Sequence, residues 1–411
     1  MRGYGGAMAA PGTSSTSAPA SRPRGASPAH RLDGIPPTIF TQMSALALRT
    51  GAVNLGQGFP DVDGPASSRA RVARAVEEGA NQYAPGTGVP ALRRAVAEHQ
   101  RRHYGIDLDP DTQVCATTGA TEGIAAALLG LVDPGDEVVV LEPYYDSYVA
   151  MIQMAGGVRR PVTLRAPDYR LDVAELRAAV TARTRFVLLN SPHNPTGTVL
   201  GPEDLQAVAD VAIEHDLVVI TDEVYEHLVY DDAVHTPIST LPGMAERTLS
   251  LSSVGKSWSF TGWKVGWATG PSYLVEAVLN AKQWLTFTSG SPLQPAVAQA
   301  LDEEADFPLE LARDLQGRRD LLCEGLGAAG LPARVPQGTY FASVDVEHLG
   351  WEDSTAFCRA LPERAGVVAI PLRGFYPDSD AGRHLVRFAF CKTVPVIEDG
   401  LARLAAADLT A

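Results

Sequence analysis

Apolar residues along this chain follow two rhythms. Short unbroken runs, such as Val138-Val-Val-Leu141, Phe186-Val-Leu-Leu189 and Leu217-Val-Val-Ile220, alternate with longer stretches in which apolar positions recur every three or four residues. The runs predict strands over 113–117, 137–141, 158–164, 185–189, 217–221, 248–251 and 264–269. The stretches predict helices over 122–132, 148–155, 173–180 and 203–215. Strands that alternate with helices predict an α/β fold, a mostly parallel sheet with helices on both faces, and such sheets gather ligands at the carboxyl ends of their strands. Ahead of this region, 53–60 reads as a short extended piece, 67–79 and 91–104 as helices and 81–88 as a loop. From about Pro295 the rhythm changes: helical periodicity over 296–327, strands over 340–346, 367–370 and 385–390, and a closing helix over 398–407 predict a smaller α+β lobe. No internal repeat is visible.

The chain has 411 residues, a hydrophobic fraction of 45% and a formal net charge of −14. That length suits one large enzyme of two packed lobes, or two or three ordinary domains. The acidic balance argues against a broad surface for nucleic acid or anionic lipid. No apolar run reaches membrane-spanning length. Cys115, Cys323, Cys358 and Cys391 are widely spaced, show no metal-ligand spacing and read as free thiols of a reducing, cytoplasmic compartment. No metal is expected. Residues 1–30 are rich in Gly, Ala, Ser, Pro and Arg, lack an apolar signal core and read as a flexible tail or an over-long start, with Met8 as another initiator.

Candidate chemistry begins with lysine. Of 34 basic residues only four are lysine: Lys256, Lys264, Lys282 and Lys392. Lys256 lies in a small-residue loop, Ser253-Val-Gly-Lys256, just after a strand. Arginine serves wherever a permanent charge is wanted, whereas a residue that must lose its proton has to be lysine. The chemistry that needs a neutral amine is Schiff-base formation with an aldehyde, pyridoxal phosphate (PLP) above all. Three further strand ends fit that cofactor. Gly119, Ala120 and Thr121 join a strand to a helix start, which is an anion site or an ordinary N-cap turn. Asn194, in the loop after the run 186–189, is a phenolate donor or plain turn chemistry. Asp222 ends the run 217–220 as a partner for a protonated pyridine nitrogen or as a helix N-cap. His193 reads as a loop histidine. Phosphate corner, phenolate donor, pyridinium partner and amine together make a complete set for one cofactor.

At these residues the chain resembles the class I aminotransferases, PLP-dependent transferases of fold type I. Asn54-Leu-Gly-Gln-Gly-Phe-Pro-Asp61, Glu142-Pro-Tyr-Tyr-Asp-Ser-Tyr148, Ser191-Pro-His-Asn-Pro-Thr-Gly197 and Thr261-Gly-Trp-Lys-Val-Gly-Trp267 carry the likeness, which runs from Arg31 to the C-terminus. Within the class the chain is similar to the kynurenine–oxoglutarate and glutamine–phenylpyruvate transaminases and to the N-succinyldiaminopimelate aminotransferases; residues 38–53 look most like the latter group. The resemblance implies a large domain over 66–295 with a mostly parallel seven-stranded sheet, and a discontinuous small domain of 31–65 and 296–411. It implies that Lys256 holds the PLP aldehyde and shuttles a proton, that Asp222 pairs with the ring nitrogen, and that Asn194 and Tyr225 bond the phenolate oxygen. Tyr145 stacks on the ring, and Gly119, Ala120, Ser253 and Lys264 hold the phosphate. Tyr83 reaches the phosphate of a neighbouring subunit, which implies a homodimer. Arg387 grips the substrate carboxylate, while Gly58, Phe40 and Asn190 line the substrate side. Cis bonds are expected before Pro143 and Pro195. The implied activity exchanges an amino group between an L-amino acid and a 2-oxo acid, with glutamate and 2-oxoglutarate as one pair. The specific partner is an N-succinylated diaminopimelate precursor of lysine biosynthesis, or an aromatic or sulfur amino acid. A cysteine-conjugate β-lyase would share every residue named, and a regulator that uses the fold as a PLP or amine sensor is a second rival.

Overall fold

The computed structural model describes residues 29–35 and 38–411. The predicted tail over 1–30 lies almost wholly outside the described residues. The centre is a seven-stranded sheet in the order Val114–Thr117, Gly266–Thr269, Thr248–Ser253, Val218–Asp222, Thr184–Asn190, Glu137–Glu142, Val158–Thr163. Gly266–Thr269 runs antiparallel to both neighbours, and the other pairings are parallel.

The strands are unbroken apolar runs because the sheet is covered on both faces. Side chains alternate between the two cores, as the pleat requires. Val139, Leu141, Val187, Leu189 and Val219 enter one cluster, whereas Val138, Val140, Phe186, Leu188 and Ile220 enter the other. The first cluster is continuous with the small-lobe residues Phe341, Val344, Val386 and Phe388, so one apolar core joins the two regions. The small region holds a four-stranded sheet, Ile370–Pro371, Leu385–Ala389, Phe341–Asp345 and Ala333–Arg334, and a two-stranded one that pairs Val53–Asn54 with Val367–Val368.

Several expectations are corrected. The span 367–370 is not one strand: Val367–Val368 and Ile370–Pro371 serve different sheets. The stretch 296–327 is two helices, Leu293–Glu303 and Phe307–Ala328. The first of these spans the expected domain junction at 295/296 and packs against the helices Ala66–Glu77 and Pro90–Tyr104. Lys264 is not in a strand. It sits at φ 54° and ψ 43°, and the strand begins at Gly266. Helices over Ile39–Thr50, Ser272–Lys282 and Ser354–Ala365 had no counterpart in the sequence reading.

Register decides where the chemistry meets. Asn190 pairs with Asp222, Asp222 with Leu251, Ser253 with Gly266, and Gly266 with Thr117. The carboxyl ends of the parallel strands therefore form one edge. At Gly266 there is no room for a side chain: a Cβ would stand 2.6 Å from the Ser252 carbonyl oxygen and 2.9 Å from the Ala120 nitrogen. That close approach presses the Gly119–Ala120 corner against the sheet.

Candidate active site

One cavity of about 390 Å³ opens over this edge. Gly58, Phe40, Gly119, Ala120, Thr121, Tyr145, Asn190, Asn194, Asp222, Tyr225, Ser253, Lys256, Lys264 and Arg387 all line it. Fourteen of the fifteen residues singled out from the sequence thus meet in one place. Tyr83 does not: it is 82% exposed and packs edge-on against Phe287.

The helix Gly119–Leu131 begins at the cavity wall, with Gly119 at φ 72°. Its first N–H groups and its dipole favour an anion. A cation stands there instead. A Cβ on Gly119 would lie 3.1 Å from Lys264 Nζ, and Lys264 has no carboxylate partner among the described residues. An ammonium beside the positive end of a helix is electrostatically unfavourable unless an anion joins them. Ser253, which caps the short helix Val254–Ser257, adds a hydroxyl at the same corner. A phosphate satisfies this donor set, and the residues present fit PLP.

Asp222 is buried at the inner end. Its Oδ2 accepts a 2.6 Å hydrogen bond from the Tyr148 hydroxyl, and its Oδ1 accepts from the Val224 N–H at 3.3 Å. Burial pushes this carboxyl up, opposed by the Tyr148 hydroxyl, the Val224 N–H and Lys256. Sequence reading missed Tyr148. The available signal was its position three residues after Tyr145, on one helix face.

Lys256 Nζ lies 5.8 Å from the ring centres of both Tyr225 and Tyr340. Its amine is accessible from the cavity yet surrounded by protein. Burial is the first cause that lowers its pKa to about 8; Cys391 and Asp222 oppose, whereas Lys264 and Arg387 add to the lowering. His193 is buried, shares a 2.8 Å hydrogen bond between Nδ1 and Thr196 Oγ1, and is held near 4 by burial.

Arg387 is no surface ion pair. It is buried, its guanidinium lies 3.8 Å over the Phe341 ring, and Nη2 donates to the Gly56 carbonyl at 3.1 Å. Nη1 donates to Asn194 Oδ1 at 2.9 Å, while Nε has no partner among the described residues. No carboxylate lies within ion-pair distance among the described residues. A buried guanidinium without a counter-charge is strongly unfavourable, so this end of the cavity is built for an anionic ligand. With its Oδ1 taken by Arg387, Asn194 has its amide N–H groups left to donate. Asn190 is less free than expected. Its amide donates to the Asp222 carbonyl at 2.8 Å, and its Oδ1 accepts from the Asn194 N–H at 2.8 Å, so it holds the other two in place. Tyr340 donates to the Gly58 carbonyl at 2.6 Å, and a Cβ on Gly58 would strike the Phe341 ring at 2.5 Å. The bonds before Pro143 and Pro195 are cis, as are those before Pro167 and Pro192.

Comparison with known proteins agrees with this geometry. The family model described as aminotransferase class I and II matches residues 50–404. The chain is 51% identical over 378 residues to a probable N-succinyldiaminopimelate aminotransferase of Mycobacterium tuberculosis, covering 89% of this chain and 95% of the relative. It is 41% identical over 365 residues to a methionine aminotransferase of Escherichia coli, covering 89% and 94%. The solved structure of N-succinyldiaminopimelate aminotransferase from Mycobacterium tuberculosis superposes with a TM-score of 0.90 at 51% identity, over 92% of this chain and 99% of that one. A cavity with two uncompensated cations, a buried carboxylate and a neutralisable lysine, on a chain so matched, belongs to the class I and II aminotransferase family, and the protein is a PLP-dependent transaminase of fold type I.

Proposed function

We propose that Lys256, Asp222 and Tyr225 carry the chemistry, and that the specific substrate is an N-succinylated diaminopimelate precursor exchanged against glutamate and 2-oxoglutarate. The observation that carries the reading is the pair of anion-seeking ends, Lys264 with the Gly119 corner and Arg387 with Asn194, on either side of one depressed lysine. Bound PLP supplies an aldehyde for the amine and a ring that accepts the electrons of the substrate carbanion. Gly119, Ala120, Thr121, Ser253 and Lys264 hold its phosphate. Asp222, oriented by Tyr148, holds positive charge at the inner end of the cavity. Asn194 and Tyr225 offer donors to an oxyanion, and Tyr145 offers a ring face. Arg387 binds the substrate α-carboxylate, with Gly58 and Phe40 beside it and Asn190 positioning Asn194. Lys256 Nζ takes the proton from the substrate α-carbon and holds it there, which a neutral amine near pH 8 can do.

The identity to the Mycobacterium tuberculosis relative supports the succinylated substrate. The cavity itself favours a second reading. Its lining cations are Lys256, Lys264 and Arg387, and Phe40, Tyr145 and Phe341 leave the substrate end aromatic, which suits an aromatic or thioether amino acid. Two lobes are proposed: residues 66–303 around the large sheet, and 31–65 with 304–411 around the small one. The exposed ring of Tyr83, packed against exposed Phe287, with exposed Trp284 three residues before Phe287, supports a homodimer in which Tyr83 serves the other subunit. Four free cysteines support a cytoplasmic setting, and no helix among the described residues is long and apolar enough to cross a membrane.

Mixing the holoenzyme with single amino donors and following loss of the cofactor's absorbance tests the substrate. The succinylated precursor and glutamate are expected to react fastest; methionine, kynurenine or phenylalanine reacting faster selects the second reading, and pyruvate release without a 2-oxo acid selects a lyase. Sedimentation equilibrium is expected to give twice the chain mass, and the mass of one chain would contradict the dimer. In cofactor-free enzyme, acylation of Lys256 followed by peptide mass spectrometry is expected to rise with a midpoint near pH 8. A midpoint near the ordinary lysine value of about 10.4 would show that burial does not act on this amine.

A further inference from the structure

Behind the sheet edge, outside the cavity, three histidines face one another. His99 and His103 stand one turn apart on the helix Pro90–Tyr104, and His227 comes from the segment that follows Val218–Asp222. One ring nitrogen from each lies within 4.8 Å of the other two. Ring centres are 4.7 Å apart for His99 and His103, 4.7 Å for His103 and His227, and 5.0 Å for His99 and His227. His99 Nε2 and His227 Nε2 are 2.7 Å apart, and His103 Nε2 is buried with no hydrogen-bond partner among the described residues. None of the three lines the cavity.

We propose that His99, His103 and His227 bind one zinc ion, or a similar borderline divalent transition metal. Imidazole nitrogen is the favoured donor for that class of ion, and it must be neutral to bind. Burial lowers the pKa of all three rings. The partnerless His103 nitrogen is a rare feature in a folded interior, and an ion gives it a partner.

The geometry needs a small adjustment. Two nitrogens about 2.0–2.1 Å from one tetrahedral ion stand about 3.3 Å apart. The 2.7 Å contact between His99 and His227 is instead a hydrogen bond with one proton between two rings. On binding, that proton passes to the other nitrogen of its own ring, and the rings separate by about half an ångström. For His99 the receiving atom is Nδ1, which lies 3.4 Å from the Gln100 amide; turned over, that amide presents its oxygen as an outer partner. Glu226, next to His227, is buried and accepts from the Tyr104 and Ser252 hydroxyls at 2.7 and 2.5 Å. Tyr104 also lies parallel to the His227 ring, at 16°. His103 is half-buried, which leaves a way in from solvent. Three protein ligands leave the fourth position to water. The ion would tie the helix Pro90–Tyr104 to the turn that follows Asp222 and carries Tyr225.

The proposal is independent of the substrate reading. Chelator-stripped holoenzyme, equilibrated by dialysis with zinc and assayed by elemental analysis, is expected to take up one ion per chain. His103→Gln, at the half-exposed edge, is expected to weaken uptake by at least about 10- to 100-fold. His215→Gln, at a surface histidine, is expected to leave it unchanged. Circular dichroism and retained cofactor absorbance identify folded variants, and His227→Gln serves as the second ligand variant. No stoichiometric uptake by folded wild-type holoenzyme would overturn the proposal, as would uptake indifferent to both ligand variants.

Discussion

Everything at this site follows from charges that the protein does not neutralise by itself. Arg387 is buried with no carboxylate within ion-pair distance among the described residues, and Lys264 stands against a helix N-terminus that already repels cations. Each arrangement is unfavourable in the empty protein and favourable with an anion in place. The distance between the two ends is bridged by Asn190 and Asp222, which the sheet register sets side by side, with Asn194 held through its N–H to Asn190. A ligand with a phosphate at one end and a carboxylate at the other satisfies both cations at once, as PLP joined to an amino acid does.

The sheet makes this possible because its strand ends are held rigidly. Loops alone would not keep Asn190, Asp222 and Ser253 in line. Strand pairing does, and both faces of the sheet are sealed by separate apolar clusters. Precision then depends on small residues. Gly266 and Gly58 let backbone and ring approach to distances that any side chain would block. The same economy of space keeps Lys256 among protein atoms and lowers its proton affinity.

Much of this was legible in the sequence. The central strands announce themselves because a sheet buried on both faces needs continuous apolar runs. Lys256, Asp222 and Asn194 stand out because polar residues at the ends of such runs require a reason. The rest depends on tertiary contact. Tyr148 becomes visible as a partner of Asp222 only when the helix Asp146–Ala155 docks on the sheet edge. Arg387 could be placed on a strand, but its bond to Asn194 joins residues 193 positions apart. The helix Ile39–Thr50 buries only Met43 and Ala47, too thin an apolar stripe to register. The pair 293–303 and 307–328 reads as one helix because apolar spacing persists across the break. His99 and His103 passed unremarked because their third partner lies 128 residues away from the first.

The central claim is that one amine among four lysines carries the cofactor. Borohydride reduction of the holoenzyme followed by peptide mapping tests it directly. The account predicts a pyridoxyl group on Lys256 and on no other lysine. A label on Lys264, Lys282 or Lys392, or no label at all, would contradict it.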